Sequence, residues 1–112
     1  MDLYSEIEHL MAELTASIGK LRENGARLAE AEQDYKITLR QEALRLRADD
    51  MPVTLINQVI YGVPDVAKKR FKRDVEQANY DANKEHINVT KLKLRILEGQ
   101  LSREWSAAGR EQ

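Results

Sequence analysis

The chain has 112 residues, 42% of them hydrophobic and 33% charged, with 5 glycines, 2 prolines and no cysteine. That length holds one small domain at most, and this much periodic Leu, Ile and Val excludes a disordered chain. A net charge of −1 excludes a global field that would draw the protein to DNA or an acidic membrane, and the lack of cysteine excludes disulfides and thiolate metal sites.

In chain order, the first predicted element is a helix over residues 3–48. Leu3, Ile7, Leu10, Leu14, Ile18, Leu21, Gly25, Leu28, Tyr35, Leu39, Ala43 and Leu46 recur with an average step close to the helical 3.6. Asn24-Gly25 is a turn signal in other settings. Here Leu21 and Leu28 keep register across it, so it is a weak point inside one helix. At 1.5 Å per residue the helix spans roughly 65–70 Å. Asp49-Asp50-Met51-Pro52 ends it, because the residue before a proline is pushed out of the α region.

A short helix over residues 53–61 follows, with Leu55, Ile56, Val59 and Ile60 expected to cap the end of the bundle. Gly62 closes it, and Val63-Pro64-Asp65 starts the next helix. Residues 65–107 contain no breaker, and residues 108–112 are expected to fray. One stripe of this last helix runs through Phe71, Val75, Ala78, Ala82, Val89, Leu92 and Ile96. A second runs through Tyr80, Ile87, Leu94, Leu97, Leu101 and Trp105.

The expected fold is a single all-α domain, a long antiparallel hairpin with a short connecting helix. A hairpin gives each helix one neighbour, yet the last helix carries two apolar stripes. Self-association through Ile87, Leu94, Leu97, Leu101 and Trp105, giving a helical-bundle dimer or higher oligomer of coiled-coil type, resolves the excess.

No catalytic constellation can be assembled. Glu6 and His9 have the Glu-x-x-His spacing of di-iron carboxylate bundles, but those sites need the motif twice, and Asn83 stands where His86 would need a glutamate. Phosphate-loop, dinucleotide and nucleophile-elbow motifs are absent from the sequence. The expectation is therefore no enzyme, no metal and no cofactor.

Charge is more informative. Residues 1–35 carry three basic and eight acidic side chains, whereas residues 36–76 carry nine basic and six acidic. In a hairpin the nine gather near the turn: Lys36, Arg40, Arg45 and Arg47 from the first helix, Lys68, Lys69, Arg70, Lys72 and Arg73 from the last. Such a patch suits phosphates or an acidic protein surface, and Tyr61 or Phe71 could stack on an unpaired base. The competing account makes the charges a solvated helix face and places Phe71 in the core at the head of its stripe.

Three segments, residues 43–62, 66–98 and 101–105, carry a resemblance. They contain Leu-Arg, a proline connector ending in Gly62, Ala67, Arg70-Phe71-Lys72-Arg73-Asp74, Tyr80, Ile87-Asn88, Lys91, Lys93, Arg95, Leu97-Glu98 and Arg103-Glu104-Trp105. The chain resembles small helical proteins from phages and prophages of Gram-positive bacteria, found in early replication and recombination gene modules. The resemblance implies a setting more than a mechanism. Length and shape are also similar to the Trp-x-Gly hairpin proteins of type VII secretion. Here the turn reads Ile60-Tyr61-Gly62, without tryptophan, and Tyr80 is followed four residues later by Lys84 rather than an acidic residue.

Together these features lead to an expectation: a non-enzymatic phage accessory protein that assists DNA replication or recombination. It would bind single-stranded DNA, a replication or recombination protein, or both. The alternative is a purely protein-binding adaptor or inhibitor. The chain opens with neither a basic nor an apolar signal region, and no stretch approaches a membrane span. The expected location is the cytoplasm, that of the host cell if the protein is phage-encoded.

Overall fold

The structure, a computed structural model, describes residues 2–110. It is an all-α hairpin of three helices: α1 (Leu3–Ala48), α2 (Val53–Val59) and α3 (Pro64–Arg110), with a 3-10 turn at Ile60–Gly62 before α3. No strand occurs among the described residues. Helix α3 runs past the expected end at residue 107 through Arg110, while Glu111 and Gln112 of the expected frayed tail lie outside the described residues.

Each boundary has a local cause. The Ser5 N–H donates to Asp2 Oδ1 at 2.7 Å, capping the start of α1 and holding the Asp2 carboxyl below the usual carboxylate range. At the other end, Asp50 adopts φ 63°. Its N–H donates to the Arg47 carbonyl and the Met51 N–H to the Leu46 carbonyl, both at 3.1 Å. This is a Schellman closure, with Met51 folded onto the cluster that contains Leu46. Pro52 therefore follows a stop already made by Asp50, and its carbonyl accepts the N–H groups of Leu55 and Ile56 to open α2. Extended Val63 (ψ 127°) hands the chain to Pro64, the first residue of α3.

The packing divides into two compact units. One comprises residues 23–80, with a core of Tyr35, Leu46, Ile56, Ile60 and Val66 flanked by Leu39, Ala43, Met51 and Val63. Only Ile56 and Ile60 of the four expected capping residues are buried, whereas Leu55 and Val59 are exposed. A helix of two turns offers one face to a core, and positions four apart share it. Helix α1 passes through Asn24-Gly25 unbroken, with the Tyr80 ring against Gly25.

The other unit joins residues 1–22 to 81–112. Ser17, Asn83, Ile87, Thr90 and Leu94 are buried in it. Asn83 Nδ2 donates to the Ser17 carbonyl and to Ser17 Oγ, each at 3.0 Å, and Thr90 Oγ1 donates to the His86 carbonyl at 2.8 Å. Glu13 Oε1 lies 3.2 Å from His86 Nε2. Positions on α1 rise as those on α3 fall, so the two segments are antiparallel.

Two expectations about α3 are corrected here. The stripe headed by Phe71 is not the buried one: Phe71 is 71% exposed, Leu92 53% and Ile96 58%. The second stripe faces α1 instead. Ile87 and Leu94 are buried there, so these two of the five expected self-association residues pack within the chain, and Leu97 and Leu101 are half-buried. Trp105 is exposed.

Candidate nucleic-acid interface

The unit formed by residues 23–80 contains all nine predicted basic residues and both candidate rings. Its structure sorts them into two groups. Four are held by neighbours. Lys36 Nζ lies 3.5 Å from Glu32, and Arg45 donates to Glu42 at 2.7 Å while also facing Asp49 at 3.7 Å. Arg73 donates to Asp74 at 2.9 Å, reaches Glu32 at 3.7 Å and lays its guanidinium 4.7 Å from the centre of the Tyr35 ring. Hydrogen bonds to Glu42 and Asp74 push Arg45 and Arg73 further above their usual range. Arg70 stacks on Tyr61 at 5.1 Å, within cation–π reach.

The remaining five, Arg40, Arg47, Lys68, Lys69 and Lys72, make no ion pair among the described residues. Lys68 and Lys72 are exposed and one helical turn apart, and Phe71, three residues after Lys68, shares a face with Lys68. An exposed ring with an ammonium group one turn before it combines a surface for a base with a charge for a phosphate, and Lys72 adds a second charge on the adjoining side of the helix. Tyr61 is about half exposed, but the Arg70 guanidinium lies over its ring. A planar cation stacked on a ring still presents donors suited to a phosphate.

Arg73 shows what periodicity misses. It lies in the phase that faces α1, four residues after half-buried Lys69 and three before half-buried Glu76. Its charge is spent inside the unit, on Tyr35 and Glu32. The available signal was phase: counted from buried Val66, position 73 falls on the inward side.

The remaining candidates do not converge. His9 lines a shallow surface groove with Glu6, Leu10 and Lys93, while His86 faces Glu13. Asn83 is buried on Ser17. Among the described residues no group of three or more His, Cys, Asp and Glu side chains is placed to hold a metal, and no helix is long and apolar enough to cross a membrane.

Comparison with protein families, with curated proteins and with solved structures finds no match to this chain.

Proposed function

We propose that this chain is a non-catalytic helical protein whose connector end binds single-stranded DNA. Its setting would be the phage replication or recombination context that the sequence resemblance implies. It would act as a homo-oligomer in the cytoplasm of the host cell. The observation that carries this reading is the exposure of Phe71 one turn after exposed Lys68 at the basic start of α3. A large ring held in water at a basic helix start has no role in packing, and a base has a face to offer it. Cations at a helix N-terminus oppose the macrodipole. A phosphate bound there offsets that cost.

The test is fluorescence anisotropy of a labelled single strand across a salt series. Lys68, Lys69 and Lys72 together contribute about 2 to the slope of log affinity on log salt, at roughly 0.7 per phosphate neutralised. Changing all three to Ser flattens the slope by that amount and weakens binding to every base sequence alike. Arg73 is left intact because it belongs to the core contacts of Tyr35. Wild-type protein that fails to bind at low salt contradicts the proposal and favours the protein-binding adaptor, for which the exposed apolar stripe of α3 is the specific support.

A further inference from the structure

Helix α3 carries two heptad seams on nearly opposite sides. Tyr80, Asn83, Ile87, Thr90 and Leu94 face α1. On the far side, Val75, Ala78, Ala82, Val89, Leu92 and Ile96 follow one another in alternating steps of three and four, with Glu85 at the one remaining position. Every residue of this outer seam is exposed. We propose that the outer seam is the interface with a second copy of the chain, whose α3 runs antiparallel to the first. This rests on the oligomer reading above and gives it a surface and an orientation.

Spacing and charge select the occupant. Alternating threes and fours keep one face of a helix aligned with another helix over many turns, which is the spacing of a coiled-coil seam. Glu85 then decides direction. In a parallel, in-register pair it would meet Glu85 of the second copy inside an apolar layer, and an antiparallel pair separates the two carboxylates. The seam edges agree. One edge carries Asp74, Asp81, Asn88 and Arg95, and in an antiparallel pair it meets its own reverse. Asp81 then lies opposite Arg95 of the second copy, whereas a parallel pair leaves Arg95 facing Gln100.

The same register sets Lys93 against Asn79 on the other edge and avoids a Lys72–Lys93 contact. It also places Ala78 opposite Ile96 and Ala82 opposite Leu92, small against large, as interdigitating layers require. Asp81 lies 3.6 Å from Lys84 within its own chain. That exposed pair is weakly held and yields readily to a second partner. Phe71 continues the seam one step before Val75 and in this register lies opposite Arg103 of the second copy, beyond the last apolar layer, where an arginine stands beside the ring proposed for the DNA contact.

Light scattering and circular dichroism on the full chain test the proposal. Wild type should have twice the 12.9 kDa mass at micromolar concentration. The double variant Ala82→Glu, Leu92→Glu should have the single mass with unchanged helicity, since both positions are exposed within one chain. A variant that stays dimeric overturns the seam but leaves the oligomer reading standing. A wild type that is monomeric at about 100 µM overturns both. Should the double variant lose helicity, the edge charges decide. Asp81→Arg should weaken the dimer about tenfold and adding Arg95→Asp should restore it, whereas failure to restore it overturns the register.

Orientation is read by a short bis-maleimide on this cysteine-free chain. Asn88→Cys lies beside the two-fold axis and should cross-link. Ala78→Cys should not, its two copies being about 27 Å apart along the axis. Cross-linking through Ala78→Cys would show a parallel pair and overturn the proposal.

Discussion

Val66→Asp abolishes the helical fold. Val66 is fully buried, at 0% exposure, and packs with Tyr35, Leu46, Ile56 and Ile60 where the connector meets α3. An ionised carboxylate there has no cation in the cluster to pair with, and even a protonated one leaves polar atoms in an apolar setting. Burying an unpaired carboxylate in place of a packed valine costs about 5 kcal/mol or more, which equals or exceeds a total stability on the order of 5 kcal/mol for so small a core. Circular dichroism at 25 °C should show most of the helix signal lost. Phe71→Asp, five residues along the same helix, serves as the control. It exchanges an exposed ring for a charge, and its melting temperature should stay within a few degrees of wild type.

Tyr35→Ala should cost about 3 kcal/mol, in the range of large aromatic truncations from a core. The ring is 7% exposed and joins two kinds of contact. It packs in the Leu46–Ile56–Ile60–Val66 cluster and carries the Arg73 guanidinium on its face. Removing it opens a cavity and takes away the ring over which a charged group is held. Tyr35→Phe keeps ring and stacking, so it should cost less than about 1 kcal/mol. Thermal melts of the two variants separate these terms. Equal losses would show that the hydroxyl, not the ring, is the important part.

Helix positions were legible because the signals for them are local. The periodicity from Leu3 to Leu46, the run Asp49–Pro52 and the Val63-Pro64 step are all read within a few residues. The left-handed Asp50 was less so. An L-residue with a side chain rarely takes that conformation, and nothing in Asp49-Asp50 says which aspartate does.

The facing of α3 was not legible, for a physical reason. Its inward side is rich in polar residues that α1 satisfies: Arg73 on Tyr35 and Glu32, Asn83 on Ser17. Its outward side carries Phe71, Leu92 and Ile96. Apolar periodicity alone ranks the second face as the core. Only partners supplied by another helix reveal the first. The same inversion shaped the candidate site, because Phe71, which one of the two accounts placed in the core, is exposed, while Arg73 faces inward.

On the proposed function Phe71 is a binding ring and not a packing ring. Measuring single-stranded DNA affinity and melting temperature side by side for wild type and Phe71→Ala tests it directly. Phe71→Ala should lose fivefold or more in affinity, since stacking on one base is worth about 1–3 kcal/mol, with the melting temperature unchanged to within about 2 °C. A variant that binds like wild type, or one whose lost binding follows a lowered melting temperature, would contradict it.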